Sequence, residues 1–490
     1  MKTYLCVYLG STFLALLITP LVIWVARKAK VLDSPDVRKV HLKSIPRIGG
    51  VAIFISAICL ILPVLFLQNV IGDKFQDIQL KIITLLSAAA FMFLVGLIDD
   101  IKGLRARIKL MAQLTAAIVV CSVGIRIESV AIADWLTLNF GLFSWPLTLL
   151  WIVGVTNAVN LSDGLDGLAA GISAIACGVI AILAIQSGQA VMAVLMLAML
   201  GSLSGFLVFN FNPAKIFMGD CGSLFLGFTI ATASVMCASK SSALVGLALP
   251  MLALGIPIFD TLFSMLRRFL ERRSVFSPDR SHFHHHLLAL GLTQRHVVLV
   301  IYALTAIAAS LGMFMMVTRN IQSLTILFCV LLLIVLVFRV VGSVRLRETI
   351  AGLQRKYTIA QRQMQERISF DQAQLHFRNT RTFDEWWQAV CEAAMRMDFA
   401  WVSLKTTDKD GTERTEIWRL ADAQPDMSDV VIMNIPVRDH PTAGPMEFEI
   451  AILVNGSLES ASHKATLFSR LIDECTIVKD QMSEISTTTL

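Results

Sequence analysis

Long apolar stretches dominate the first 342 residues of this 490-residue chain. A helix needs about 20 consecutive apolar residues to cross a bilayer, because the hydrocarbon core is about 30 Å thick. Such windows fall at about 3–26, 48–69, 81–98, 110–127, 146–162, 167–187, 189–209, 222–239, 242–266, 297–318 and 321–342. The pattern excludes an ordinary soluble enzyme and a disordered chain. We expect an α-helical polytopic membrane protein with about 11 transmembrane helices.

Charge density divides the chain near residue 343. Residues 1–342 hold 25 basic and 14 acidic side chains, whereas residues 343–490 hold 17 basic and 22 acidic ones. We predict a membrane-embedded domain over 1–342, a connecting helix over 343–370 and a soluble cytosolic α+β domain over 371–490. In this last segment a helix, four strand-like runs and a helix resemble a small α/β sensory domain of GAF or PAS type. A regulatory or oligomerising role is expected, and a passive appendage is the alternative.

The termini and the cysteines carry less information. The first window ends in Arg27, Lys28 and Lys30 rather than in a small-residue cleavage site, so we interpret it as a retained membrane helix. The nine cysteines form no CxxC pair, which argues against a disulfide framework or a zinc ribbon.

The loops between the windows differ in basic charge. The loops after windows 1, 3, 5, 7 and 9 carry 18 Lys and Arg residues in all, and the alternate loops carry five. The positive-inside rule makes the first set cytoplasmic. The N-terminus is then outside, and the charged C-terminal segment lies in the cytosol.

Acidic residues gather at the predicted cytoplasmic ends of the windows. Carboxylates near hydrocarbon usually pair, bind cations or take part in chemistry. Six follow this pattern: Asp99, Asp100, Asp163, Asp166, Asp220 and Asp260. A single such residue is more simply explained as a solvated helix end, but six on one face favour a site.

Two of these loops are rich in oxygen-bearing side chains. Asn157, Asn160, Asp163 and Asp166 recur at a spacing of three beside two glycines, which suits a hard cation such as Mg²⁺ together with its phosphates. A polar helix cap with a glycine-rich turn is the alternative. Adjacent Asp99 and Asp100 should repel each other and so need a cation or a base, which Arg105, Arg107 or Lys109 could supply.

The seventh loop reads Gly219-Asp220-Cys-Gly222-Ser before an apolar run, which offers free backbone N–H groups to a phosphate. Asp220 could ligate a metal there. Phe217 could stack on a base, and packing in the membrane interface is an equal alternative.

The ninth loop contains Arg280 followed by His282, His284, His285 and His286. The cluster suggests zinc, but adjacent histidines cannot face one site on a helix or strand and no cysteine is nearby. An anion site built from Arg280 and the histidines fits better, with a solvated loop as the alternative.

Several stretches together resemble one family. They are Pro46-Arg47-Ile-Gly49-Gly50, Asp99-Asp100, NAVNLSDGLDGLAAG (157–171), IFMGDCGS (216–223), PIFDT (257–261) and DRSHFHHHLLALGL (279–292). They resemble the polyprenyl-phosphate N-acetylhexosamine-1-phosphate transferases, and most closely the WecA/TagO branch that uses UDP-N-acetylglucosamine. The Pro-Arg-x-Gly-Gly and His-rich stretches differ from the versions in the phospho-MurNAc-pentapeptide translocases.

The resemblance implies a reaction and its parts. A polyprenyl phosphate attacks the β-phosphorus of a UDP-sugar, releasing UMP, with Mg²⁺ as cofactor and Mn²⁺ as its substitute. Asp220 is implied as the main metal ligand with Asn160 beside it, and Asp163 and Phe217 as uracil contacts. Substrate-binding roles are also assigned to Lys43, Arg47, Asn157, Asp166, Arg280, His282 and His286, and catalytic roles to Asp99, Asp100, His284 and His285.

The family often assigns Asp99 as the base that deprotonates the lipid phosphate. A phosphate monoester has its second pKa near 6 and is already mostly dianionic at pH 7. We therefore favour Asp99 and Asp100 as groups that orient the nucleophile and hold Lys or Arg, with base catalysis second.

Other functions stay open. A phospho-MurNAc-pentapeptide transferase is the alternative within the superfamily. A transporter is the alternative from another class, although its polar groups should lie at the midplane, and a membrane receptor would leave the motif loops unexplained. The expected partners are the UDP-sugar, the lipid phosphate, the bacterial plasma membrane and a second copy in a homodimer, and no nucleic acid.

Overall fold

The computed structural model describes residues 2–33, 44–65, 70–133, 136–238, 243–270, 282–314, 321–341, 382–407, 412–420, 430–437, 446–453 and 458–474, and single positions 364, 374, 377 and 380. The chain divides into two compact units, Met1–Thr349 and Ile350–Leu490.

The first unit is helical. Its helices are α1 (Lys2–Lys28), α2 (Gly50–Leu65), α3 (Val70–Asp77), α4 (Gln79–Lys102), α5 (Ala106–Ser122), α6 (Ser144–Leu161), α7 (Leu168–Gln186), α8 (Ala190–Asn210), α9 (Gly219–Ala238), α10 (Ala243–Ala253), α11 (Gly255–Leu270), α12 (Phe283–Ala289), α13 (Gln294–Phe314) and α14 (Ile321–Val340). Two short antiparallel pairs complete it: β1 (Leu32–Asp33) with β2 (Ile45–Pro46), and β3 (Ser129–Ala133) with β4 (Leu136–Asn139).

Every predicted apolar window contains a helix. Seven of the described helices are long and apolar enough to cross a membrane by length and composition. The chain is therefore a polytopic α-helical membrane protein, and a count of eleven crossings stays a prediction.

Two differences from the predicted windows affect the acidic residues at their ends. The ninth window, predicted as one span, holds α10 and α11 with a break at Leu254. Pro257 lies in the first turn of α11 and has no N–H to donate to the carbonyl of Ala253, so the helix cannot continue regularly. The third window was predicted to end at residue 98, but α4 runs on to Lys102, and Asp99 and Asp100 are buried in its last turns.

Helix α9 lies at the centre of the first unit. Its whole apolar window is buried. Glycines let the neighbouring helices approach it closely: Gly96 of α4 lies against the Asp220 backbone, and Gly227 of α9 lies against the backbone of Thr156 in α6. Small residues are the usual contacts between membrane helices. The C-terminal ends of α4 and α6 thus meet the N-terminal end of α9, and this is where the predicted site residues lie.

The second unit contains helix α15 (Phe383–Arg396), strands β5 (Phe399–Thr407), β6 (Glu413–Arg419), β7 (Val430–Val437) and β8 (Met446–Leu453), and helix α16 (Leu458–Glu474). The strands form an antiparallel sheet in the order β6-β5-β8-β7. Trp386 of α15 and Phe468 of α16 both contact Phe448 of β8, so the two helices cover the same face. The likeness to GAF or PAS domains stays a prediction, and most of the predicted connecting helix lies outside the described residues.

Candidate active site

A lysine joins two of the predicted acids. Lys109, near the start of α5, places its Nζ 3.1 Å from Asp99 Oδ2 and 2.7 Å from Asp220 Oδ2. The backbone N–H of Leu104 also donates to Asp99. The ends of α4, α5 and α9 therefore meet at one ammonium group held between two carboxylates.

Asp100 plays a different part from its neighbour. Its fully buried carboxylate accepts hydrogen bonds from the backbone N–H groups of Asp220 and Cys221, each at 2.9 Å, and Arg47 Nε lies 3.1 Å from Oδ1. The first N–H groups of a helix have no partner within it, so Asp100 caps α9 from another helix. The cap fixes Asp220 relative to α4.

Backbone pairing explains the Pro-Arg-x-Gly-Gly stretch. The Phe217 N–H donates to the Pro46 carbonyl, and the Gly49 N–H donates to the Phe217 carbonyl, at 2.8 and 2.9 Å. A Cβ on Gly49 would overlap the Phe217 carbonyl, and one on Gly50 would overlap the backbone of Gly222. Glycine is required by this close approach, which holds Arg47 beside Asp100 and fixes the backbone of Phe217.

The two asparagines lie on one face near the end of α6. Asn157 forms a reciprocal amide pair with Gln113 of α5, at 2.6 and 3.2 Å. Asn160 Nδ2 donates to Ser223 Oγ at 2.8 Å, in the first turn of α9. This bond uses the amide nitrogen of Asn160, so the amide oxygen is the atom that could ligate a cation.

The helix ends at Leu161, and the two aspartates that follow lie in the turn before α7. Burial, and then the carboxylates of Asp220 and Asp100, raise the pKa of Asp163 to about 8. Asp166 is bound within the protein: its Oδ2 accepts from Asn212 Nδ2 at 2.8 Å and from the Ala214 N–H at 3.0 Å. Asp166 therefore ties this turn to the loop that carries Phe217.

The histidines lie at the start of the short helix α12, where His282 is the N-cap residue. The rings of His282 and His284 are parallel with centroids 5.8 Å apart, and those of His284 and His285 are 4.4 Å apart. Burial, and then His285, lower the pKa of His284 to about 3, so this imidazole is neutral. Its Nε2 lies 3.2 Å from where a Cβ on Gly164 would stand, so the histidines adjoin the turn that carries Asp163.

Not every predicted residue is placed. Lys43 and Arg280 lie outside the described residues. Three residues that were not among the predicted site residues contact them directly: Lys109, Gln113 and Ser223. The sequence offered a signal for Lys109 alone, as one of three basic residues close after Asp99.

The oxygen ligands suit a magnesium ion better than zinc. In the part of the chain that the structure describes, no three His, Cys, Asp or Glu side chains converge on one point. Mg²⁺ needs fewer protein ligands, because it keeps waters and takes one or two carboxylates with substrate phosphates. Asp220 and Asp99 converge on one positive charge, that of the Lys109 ammonium group.

Residues 82–238 match the family described as glycosyl transferase family 4. A probable undecaprenyl-phosphate N-acetylglucosaminyl 1-phosphate transferase of Bacillus subtilis is 40% identical over 339 residues, which are 69% of this chain and cover 92% of that protein. An undecaprenyl-phosphate alpha-N-acetylglucosaminyl 1-phosphate transferase of Thermotoga maritima is 32% identical over 262 residues, covering 53% of this chain and 74% of its own. The protein of that name from Escherichia coli is 27% identical over 295 residues, with 59% and 77% covered.

Proposed function

The chain belongs to the polyprenyl-phosphate N-acetylglucosaminyl 1-phosphate transferases of glycosyl transferase family 4, and we propose that it transfers N-acetylglucosamine 1-phosphate from UDP-N-acetylglucosamine to undecaprenyl phosphate. An oxygen of the lipid phosphate bonds to the β-phosphorus. The bond from that phosphorus to the bridging oxygen breaks, and UMP leaves with this oxygen. The product is the first membrane-bound intermediate of a cell-envelope glycan.

The observation that carries the proposal is Lys109 between Asp99 and Asp220. Phosphoryl transfer depends mainly on positioning the reactants and neutralising charge. Asp220 and the Asn160 amide oxygen are the groups that would hold Mg²⁺, which supplies charge neutralisation for the diphosphate and the leaving UMP. Lys109 balances the charge of the lipid phosphate, and Asp99 holds and orients the Lys109 ammonium group.

The remaining residues hold these groups in place. Asp100, engaged with two backbone N–H groups and Arg47, is a positioning residue rather than a base. The ring of Phe217 and the carboxyl of Asp163 bind uracil, and a donor such as the uracil N3–H would favour the charged carboxylate that burial disfavours. Neutral His284, with His285, supplies hydrogen bonds to the sugar diphosphate.

Purified full-length protein tests the proposal with three donors: UDP-N-acetylglucosamine, UDP-N-acetylgalactosamine and UDP-MurNAc-pentapeptide. We expect UMP release from the first that requires undecaprenyl phosphate and Mg²⁺. Preference for the pentapeptide donor would indicate the translocase reaction. Uptake of intact UDP-sugar into proteoliposomes, with no UMP released, would indicate a transporter.

His284→Ala and His285→Ala should each lower turnover about 10- to 100-fold. A hydrogen bond to a charged group contributes about 1.5–3 kcal/mol, which corresponds to this range. The exposed His296→Ala is the matched control and should have little effect. Stoichiometric zinc in chelator-free protein, lost in the His284 and His285 variants, would contradict the anion-site interpretation.

The proposed topology places the site loops and the second unit on the cytoplasmic side of a bacterial plasma membrane.

Removing residues 350–490 should leave an inserted enzyme that keeps at least about half of its turnover, because the Bacillus subtilis relative is almost wholly matched by 69% of this chain. UMP release at equal folded amount is the measurement. A fall to the level of an Asp220→Asn variant would mean that the second unit completes the site. If the truncated enzyme stays active, the second unit has a regulatory or oligomerising role, such as formation of a homodimer.

A further inference from the structure

Asp260 of α11 makes two contacts with the histidine segment. Its Oδ1 accepts a hydrogen bond from the Phe283 N–H at 2.8 Å, and its Oδ2 lies 3.0 Å from His282 Nδ1. Both side chains of the Asp260–His282 pair are largely buried, with 15% and 10% of their areas exposed. The aspartate therefore binds the first N–H of α12 and orients the imidazole just before it.

A carboxylate in this place fixes which nitrogen of His282 carries the proton. An ionised carboxylate can only accept, so Nδ1 must be the protonated nitrogen facing it. The far nitrogen, Nε2, is then the acceptor of a neutral ring, or a donor once the ring gains a second proton. A hydrogen bond to one ring nitrogen commonly sets the function of the other in this way.

The His282 ring is the first of three neighbouring imidazole rings, so its orientation affects the packing of the other two. His282 stacks parallel to His284, and His284 contacts His285. Nε2 of His284 points to Gly164, in the turn that carries Asp163. A rotation of the first ring would therefore disturb the histidines where they adjoin the proposed nucleotide site.

The docking of α12 has a second, separate support. Phe283 is buried, and its ring centroid lies 4.5 Å from that of Phe338 in α14. Phe259 and Phe263 of α11 also contact Phe338. This aromatic cluster holds the helix through rings that do not include a histidine, so attachment of α12 does not depend on the Asp260–His282 contact alone.

We propose that Asp260 is a positioning residue for sugar-phosphate transfer, which holds His282 as the Nδ1-protonated tautomer and thereby aligns the histidine row over the Asp163–Gly167 turn. This inference rests on the proposed function. Asp260 touches neither substrate nor the reacting phosphorus. It acts through His282, so its removal should affect turnover more than donor binding.

The Asp260→Asn variant separates the effect of Asp260 on the His282 tautomer from its effect as the cap of α12. The amide oxygen can still accept from the Phe283 N–H, whereas the amide NH₂ faces Nδ1 and moves the ring proton to Nε2. We expect kcat for UMP release to fall about 10- to 100-fold, the range typical of partners that orient a functional histidine, with KM for UDP-N-acetylglucosamine changed by less than about threefold. Asp260→Glu, which restores a carboxylate, should recover part of kcat.

Two further variants separate this role from simple support of the helix. In a His282→Gln background, Asp260→Asn should cost less than about a twofold further loss, because both changes act through one interaction. Phe283→Leu loosens the aromatic docking and should raise KM while leaving the Asp260 effect undiminished. Additive losses for Asp260→Asn and His282→Gln, or a kcat unchanged in either, would overturn the proposal.

The outcomes also distinguish this inference from the proposed function. Wild-type protein that releases no UMP from any of the three donors would remove the proposed function. If the wild-type protein is active and the Asp260→Asn variant has the same kcat for UMP release, this inference alone is wrong. If Asp260→Asn loses its folded peak in gel filtration, His282→Gln decides by itself, since it leaves the aspartate and its bond to Phe283 in place.

Discussion

Asp220→Asn abolishes transfer, with UMP release expected to fall by at least about a thousandfold. The carboxylate stands at the first turn of α9, 2.7 Å from the Lys109 ammonium, where it can meet a metal and the donor diphosphate together. Removing a single electrostatic contact to a developing charge typically costs about 10²–10³ in rate. Loss of a metal ligand adds to this, because charge neutralisation of the leaving group is lost as well.

The variant should remain folded, since the bond that orders the start of α9 runs from the Asp220 backbone N–H to Asp100 and does not involve the side chain. Binding of UMP in the presence and absence of Mg²⁺ is the second measurement, and its Mg²⁺ dependence should disappear. Asp73→Asn, on the exposed surface of α3, is the matched control. Turnover close to wild type in Asp220→Asn would contradict the metal-ligand assignment.

The positions of the helices could be predicted well, but their mutual arrangement could not. Apolar length located the seven described helices that are long enough to cross a membrane, because membrane thickness sets the length of a spanning helix. Basic charge put the acidic loops on one predicted face. Neither rule could show that α4 packs beside α9 with its C-terminal end at the start of α9, since that depends on glycines such as Gly96, whose importance appears only when a second backbone lies against them.

It was harder to predict what each residue does in the site than to predict which residues belong to the site. Asp99 and Asp100 are adjacent in sequence and look equivalent, yet a helix turns successive side chains by about 100°. One reaches Lys109 and the other caps α9. Lys109 itself was one of three basic candidates, and a long flexible side chain gives no periodic signal that would single it out.

Lys109→Met is the other variant with a large expected effect, a loss of at least about a hundredfold in UMP release. The substitution keeps the length of the side chain and removes its charge, so Asp99 and Asp220 face one another without the ammonium between them. The lipid phosphate, the donor diphosphate and the two carboxylates are all negative. Among the described residues, the Lys109 ammonium is the cation nearest to the carboxylates of Asp99 and Asp220. Loss of such a preorganised charge costs about 10²–10³ in rate.

The same variant should bind a divalent cation more tightly when no substrate is present. The ammonium and a metal ion both interact with the Asp220 carboxylate, and removing one competitor strengthens the other. We expect Mn²⁺ to bind Lys109→Met about tenfold more tightly, which is ~1.4 kcal/mol, as measured by electron paramagnetic resonance on detergent-purified protein. Tighter metal binding with slower turnover is a combination that general unfolding of the site would not produce.

Two lysine variants make the result specific. Lys109→Arg keeps the charge and should retain part of the turnover, because a longer, planar guanidinium cannot take the same position as a compact ammonium. Lys102→Met removes an exposed charge from the end of α4 and should change neither turnover nor Mn²⁺ affinity. If Lys109→Met matched wild type in both measurements, the bridge between Asp99 and Asp220 would be incidental to catalysis, and the charge balance proposed for the lipid phosphate would have to come from Arg47 or from the metal alone.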